Sequence, residues 1–309
     1  MILTVTLNPA VDKTVYIENM KIGELNRVKA IRTDPGGKGI NVSKALCSYG
    51  VEQKATGILA GMNGRYLLSL LEKFHFPKEF LMVSGETRVN LKIKDEKTNL
   101  VTEINETGPL IAKSNTEEFI KLLKEHLIKC DLIVLSGSLP DGMPSDFYAQ
   151  CIRLASDMKV ASILDADGEA FKFGCKALPY AIKPNLHEFE RLTGKSFSNY
   201  REIRDEIKVI HETGIELVLV SLGKEGSVLS YRNKTYHAST LPVQVKSTVA
   251  SGDSMVAALA YCIKKDIPLD ETARITSAAG CLTAALDGSE MSEWKDIKDV
   301  YKKVYIEEI

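Results

Sequence analysis

The chain has 309 residues, of which 44% are hydrophobic, 26% charged and 7% aromatic, the make-up of a globular protein with enough apolar material for a substantial core. Its 40 Lys and Arg against 41 Asp and Glu leave a formal net charge of -1, so no overall basic field draws nucleic acid or an anionic membrane surface, and neither is expected as a partner. Met1–Leu7 lacks a basic flank and a small-residue cleavage site, and nowhere do roughly eighteen apolar residues run together, so the cytoplasm is the default location.

The opening apolar run leads into Asn8-Pro9-Ala10-Val11-Asp12. Val15–Ile17 and Val28–Ile31 are short strand candidates, and Asp34-Pro35-Gly36-Gly37-Lys38-Gly39-Ile40-Asn41 follows as a glycine cluster. Val42, Ala45, Leu46 and Tyr49 then fall at helical spacing, so the cluster feeds a helix N-terminus, where free N–H groups and the dipole favour an anion. It is not a Walker A loop, because Arg32 stands where the first glycine belongs and Gly39 where Ser or Thr must follow the lysine. Nor is it the dinucleotide fingerprint, which would need a glycine at Val42. A tight strand-to-helix turn remains the plain alternative.

From Thr87 to Ile93 the residues alternate, Val89, Leu91 and Ile93 on one face and Arg88, Asn90 and Lys92 on the other. A turn-like Asp95–Asn99 leads into Leu100–Ile104, which predicts a hairpin with one polar face. It is either a solvated surface hairpin or a lid whose polar face looks down on a ligand. Beyond it, Leu132–Leu135, Ala161–Leu164, Tyr180–Ile182 and Leu217–Val220 read as buried strands separated by amphipathic helical stretches. That alternation predicts a parallel sheet covered on both faces, with ligands bound beyond the carboxyl ends of its strands. The segments there are Ser136–Pro140, Asp165–Gly168, Lys183-Pro184-Asn185 and Ser221–Gly226, all polar or glycine-bearing. Late in the chain, Ser247–Ser254 opens a helix marked by Met255, Ala258, Leu259 and Cys262. Asp253, in its first turn, is either a capping carboxylate or a proton acceptor beside a backbone anion hole. The six cysteines lie far apart with no Cys-x-x-Cys and are read as small core residues.

Gly36–Ser43 and Ala250–Ser254 together resemble the paired signatures of the ribokinase / phosphofructokinase-B (PfkB) carbohydrate kinase family, with Asn8–Asp12, Gly137–Pro140, Lys183–Asn185 and Glu188 extending the likeness over nearly the whole chain. The opening and the lysine in the glycine cluster are most similar to the hexose-phosphate branch, the 1-phosphofructokinases and tagatose-6-phosphate kinases. The resemblance implies one ribokinase-like domain over 1–309: a three-layer α/β/α sandwich with a mostly parallel central sheet and a small β-sheet lid drawn from about 13–33 and 87–105. It implies ATP-dependent phosphorylation of fructose 1-phosphate or tagatose 6-phosphate. The alternatives are an unphosphorylated sugar or nucleoside as substrate, or a non-enzymatic sugar-phosphate sensor.

By the same resemblance, Asp253 is the general base, and Ala250, Ser251 and Gly252 supply the anion hole. Lys183, Asn185, Ser221, Gly223, Gly226, Ser277 and Gly280 line the nucleotide, with Mg2+ near Asn185 and Glu188 through water. Asp12, Gly37, Asn41 and Asn90 hold the sugar. A phosphorylated substrate brings about two negative charges, for which Lys38 and Arg88 are the candidate cations, Arg88 being delivered by closure of the lid; Ser138 either adds a hydroxyl there or is a turn residue. Ala250 departs from the usual glycine; a left-handed backbone there would cost about 1 kcal/mol. A lid exposing Val89, Leu91 and Ile93 needs cover, so a homodimer through lid-to-lid packing is expected.

Overall fold

A computed structural model describes residues 1–309. Its strands are β1 (Ile2–Thr6), β2 (Ala10–Ile17), β3 (Ala30–Gly36), β4 (Gln53–Ala60), β5 (Lys78–Val83), β6 (Arg88–Asp95), β7 (Val101–Asn105), β8 (Leu132–Ser136), β9 (Ala161–Asp165), β10 (Ala181–Ile182), β11 (Leu217–Ser221), β12 (Ser227–Tyr231), β13 (Lys234–Ala238) and β14 (Ile306–Glu308). Its helices are α1 (Lys38–Ser48), α2 (Gly61–Leu70), α3 (Lys113–Leu127), α4 (Phe147–Asp157), α5 (Gly168–Lys176), α6 (Leu186–Thr193), α7 (Tyr200–Glu212), α8 (Ser251–Lys264), α9 (Leu269–Ala284) and α10 (Trp294–Val300).

Ten strands form the main sheet in the order β14-β13-β12-β11-β10-β9-β8-β1-β4-β5. From β5 to β11 all neighbours are parallel, and β12, β13 and β14 close the far edge antiparallel. The apolar strand runs divide between the two faces with period two. Leu3, Val5, Ile133 and Leu135 enter a core under α3 to α7, while Ile2, Leu132 and Val134 enter another under α1, α8, α9 and α10. This is the expected three-layer sandwich. The chain leaves β1 toward β4 on one side and later returns to β8 on the other, so the carboxyl end of β1 is a topological switch point.

The second sheet has the order β3-β2-β6-β7, with β2 and β6 parallel and the outer pairs antiparallel. Cross-strand register sorts its faces. Asp12, Asn90 and Asn105 align on one, followed by Thr14, Lys92 and Glu103; Val15, Ile31 and Ile93 align on the other, followed by Leu91 and Ile104. The predicted alternation therefore holds. Asp34-Pro35-Gly36, read as part of a loop, instead ends β3, a position open to proline because β3 is an edge strand with no outer neighbour to satisfy. Val89, Leu91 and Ile93 are half-buried rather than exposed, because β6 is paired on both sides and Val89 packs on a small cluster at the lid root. The exposed apolar residues of this region are Ile22, Leu25, Val28, Ile31, Leu100, Val101 and Ile104. All six cysteines are unpaired, and no helix is long and apolar enough to cross a membrane.

Candidate active site

The ends of β1 and β8 open on a small hollow, and beside it Lys183 and Asn185 after β10, Ser221 at the end of β11 and the polar face of the second sheet meet at one cavity of about 830 Å³. Two helix N-termini point at it, and both are seated by backbone geometry. At the first, a Cβ on Gly39 would lie 2.6 Å from the Val5 carbonyl, so only glycine lets α1 approach β1 this closely. At the second, the N-cap of α8 is Ala250 at φ 63°, ψ -3°, a left-handed conformation that an alanine adopts at a cost of about 1 kcal/mol. The first N–H groups of α8 have no partner within the helix and face the cavity with the positive end of its dipole.

The glycine turn near the start of the chain and the carboxylate near its end do meet. Asn41 Nδ2 donates to Asp253 Oδ2 at 2.8 Å, with both residues buried. Burial and the negative charge of Asp165 push the Asp253 carboxyl up to about 6, against Lys38, Asn41 and Lys183 pulling it down. Asp253 is thus a carboxylate at neutral pH with raised proton affinity, suited to accept a proton from an alcohol.

Asp165 is a feature the sequence reading left without a role. Fully buried at the end of β9, its Oδ1 lies 3.2 Å from Lys38 Nζ and 3.4 Å from Lys183 Nζ. Burial alone would raise its carboxyl, but the two ammonium groups outweigh that and hold it below its usual value. In return Asp165, with Asp253 and Glu188, holds the Lys38 ammonium above its usual value despite burial. A Cβ on Gly252 would sit 3.3 Å from Lys183 Nζ, so one lysine lies directly over the start of α8. One buried acid thus sets two cations beside a helix N-terminus, an arrangement that favours an anion.

At the lid end, Asn90 Nδ2 donates to Asp12 Oδ1 at 2.9 Å. Burial raises the Asp12 carboxyl, opposed by Lys92, Asn90, Lys44 and Arg88. A Cβ on Gly36 would fall 2.5 Å from the Asp12 carboxylate, so that glycine leaves room for it. Arg88 donates through Nε to the Asn8 carbonyl at 3.2 Å. The notion that lid closure carries Arg88 to a ligand does not describe this geometry. Arg88 begins β6 beside Thr87, whose hydroxyl accepts from Ala60 N at 2.8 Å, so it stands at the anchored root. Lys92, further along the same face, also lines the cavity and was not singled out as a site residue.

Of the site residues expected from sequence, Asp12, Gly37, Lys38, Asn41, Arg88, Asn90, Lys183, Asn185, Ser221, Gly223, Gly226, Ala250, Ser251, Gly252, Asp253, Ser277 and Gly280 line this cavity. Ser138 does not; it lines an adjoining hollow of about 170 Å³ with Asn8, Lys38 and Arg88. Glu188 stands behind the wall, where its carboxylate accepts from Asn185 N at 2.8 Å while the Asn185 side chain accepts from Glu188 N. That reciprocal capping box occupies both side chains. Ser277 Oγ donates to the Ser239 carbonyl at 2.6 Å and so anchors the segment that walls the far end, where Leu241, Pro242, Val243 and Met255 make the lining apolar.

The "pfkB family carbohydrate kinase" profile matches residues 5–295. The chain belongs to the pfkB family of carbohydrate kinases. It is 35% identical over 284 residues to a 1-phosphofructokinase of Bacillus subtilis, an alignment covering 92% of each chain. Among solved structures it is similar to phosphofructokinase-2 from Escherichia coli (TM-score 0.92, 27% identity, 98% of each chain). It is also similar to a possible 1-phosphofructokinase from Thermotoga maritima (TM-score 0.90, 28% identity, 100% of this chain and 99% of that one). This pfkB kinase is accordingly a sugar kinase of the phosphofructokinase type, and its family implies ATP as phosphoryl donor.

The cavity fits that donor. Its apolar end suits a base, and the α8 N-terminus, Lys183 and the buried, unpartnered Ser251 hydroxyl suit a polyphosphate. No three His, Cys, Asp or Glu side chains converge to cage a metal. Of the two residues expected near Mg2+, Asn185 lines the cavity but spends its side chain on the cap of α6, and Glu188 does not reach the cavity, so neither presents a free oxygen to a metal here.

Proposed function

We propose that this pfkB kinase transfers the γ-phosphoryl group of ATP to a ketohexose phosphate, fructose 1-phosphate before tagatose 6-phosphate, to give a hexose bisphosphate. The observation that supports the reading is the Asn41 to Asp253 hydrogen bond of 2.8 Å, which joins the carboxylate at the start of α8 to the helix opened by the glycine turn on one cavity. ATP supplies the phosphoryl group, and Mg2+ screens its charge. Asp12 and Asn90 orient the sugar hydroxyls, and Asp253 takes the proton of the attacking hydroxyl as its oxygen bonds to phosphorus and the bond to the departing ADP oxygen breaks. The N–H groups at Ala250–Asp253, with Lys183 and Lys38, hold the transferring oxygens. At the sugar end Arg88 and Lys92 supply the cations that a substrate with about two negative charges requires.

Fructose 1-phosphate is placed first because the Bacillus subtilis relative carries the name 1-phosphofructokinase. The test is a coupled ADP assay with Mg-ATP on fructose 1-phosphate, tagatose 6-phosphate, fructose 6-phosphate and free fructose. Fructose 1-phosphate is expected to give the highest kcat/KM, exceeding free fructose by about a thousandfold, since a site built with cations for a phosphate strongly rejects an analogue lacking it. Equal or higher efficiency on free fructose would overturn the reading. We propose further that the lid face carrying Ile31 and Ile104, turned away from the cavity, packs against a second copy of the chain.

A further inference from the structure

We infer that Lys44 is a positioning residue for the proton acceptor, holding the Asn41 amide so that its N–H group and not its oxygen faces Asp253. The inference rests on Asp253 accepting the proton. Lys44 lies one turn beyond Asn41 on α1, on the same helix face. Its Nζ donates to Asn41 Oδ1 at 2.9 Å and to the Ser289 carbonyl at 2.7 Å, and sits 3.4 Å from Ser289 Oγ. Every donor of the ammonium thus finds an oxygen.

With the amide oxygen taken by the ammonium, Nδ2 is left to donate to Asp253. The flipped amide would set its NH2 against the ammonium and its oxygen against the carboxylate, two repulsions in a buried place. Remove the ammonium and the flip becomes cheap. A flipped Asn41 accepts a hydrogen bond from protonated Asp253, and so favours the form that cannot take a proton.

Lys44 itself does not line the active cavity. It lines a groove of about 510 Å³ behind it, together with Arg32, Asp34, Glu290, Glu293 and Asp296, so it is not placed to touch the sugar or the nucleotide. Burial pulls its ammonium down to about 8, opposed by Asp34 of β3, Asp12 of β2 and Asp253 of α8, with Lys73 beyond α2 adding to the depression. At neutral pH it is charged, as the orienting role requires.

The test compares Lys44→Met with the unaltered protein in steady-state kinetics over pH. We expect kcat to fall at least about tenfold with KM for sugar phosphate and ATP within about threefold, and the acid limb of the kcat profile to move to higher pH, since Asp253 loses a nearby cation and gains a hydrogen-bond acceptor. In an Asn41→Ala background the same substitution should change kcat, measured above the acid limb, by less than about twofold, because the amide it orients is gone and only its charge effect on the Asp253 titration remains. A kcat within about twofold of unaltered, or losses that multiply in the double variant, overturns the inference. Should Lys44→Met fail to fold by circular dichroism, Lys44→Leu, which likewise has no donor for the Asn41 oxygen, carries the same expectations; failure of both to fold makes Lys44 structural and overturns it as well. Asp253→Asn is assayed alongside. Retained turnover there sinks the proton-acceptor reading itself, whereas lost turnover there with unchanged Lys44→Met kinetics sinks only the role of Lys44.

Discussion

Ala250 shows how a single backbone angle enters the chemistry. Its φ of 63° is needed to turn the chain into α8 with the first N–H groups facing the cavity. Exchange for glycine removes the clash between Cβ and the following carbonyl, so Ala250→Gly should raise stability by about 1 kcal/mol and the melting temperature by about 2 °C, read by calorimetry. An unchanged or lower melting temperature would show that the angle carries no strain. Asp253 and Asn41 were legible because each sits in a run of small residues that opens a helix, a pattern with local physical meaning. Asp165 was not legible as a site residue. Its segment reads as polar, but only the folded sheet shows that Lys38 and Lys183 converge on its Oδ1 from two other elements. Lys44 was hidden for the same reason: helical spacing places it beside Asn41, and nothing local says that the Ser289 carbonyl will meet it.

Among the elements, the lid carries the clearest sequence signal, since strict alternation over β6 gives both its polar and its apolar face. The alternation did not reveal which end of the strand is fixed. That depends on Thr87 bonding Ala60 across the root, a contact between segments with no shared pattern. Because Arg88 stands at that fixed root, its guanidinium is presented without any movement of the lid. Arg88→Ala should therefore raise KM for the sugar phosphate at least about tenfold while leaving KM for ATP within about threefold, as expected for loss of one charge-assisted contact. Equal effects on both substrates would remove Arg88 from the sugar end. The antiparallel strands β12–β14 were not anticipated, because short amphipathic runs between polar turns, such as Ser227–Tyr231, are ambiguous until a neighbour pairs with them.

At the scale of the whole molecule, the lid leaves Ile31 and Ile104 exposed on the face away from the cavity, a liability for an isolated chain. Light scattering at micromolar concentration should report a dimer, and Ile31→Asp with Ile104→Asp should convert it to monomer; a monomer before substitution would refute lid-to-lid packing. The glycine turn early in the chain and the start of α8 meet, so the carboxylate proposed as base comes from one end of the sequence and is hydrogen-bonded by an amide from the other. The turnover of Asp253→Asn on fructose 1-phosphate with Mg-ATP at pH 8, set beside its ATP dissociation constant, tests that claim most directly. The account predicts kcat lower by at least about a hundredfold with ATP binding within about threefold of the unaltered protein, from the worth of a general base. Turnover close to that of the unaltered protein would contradict it.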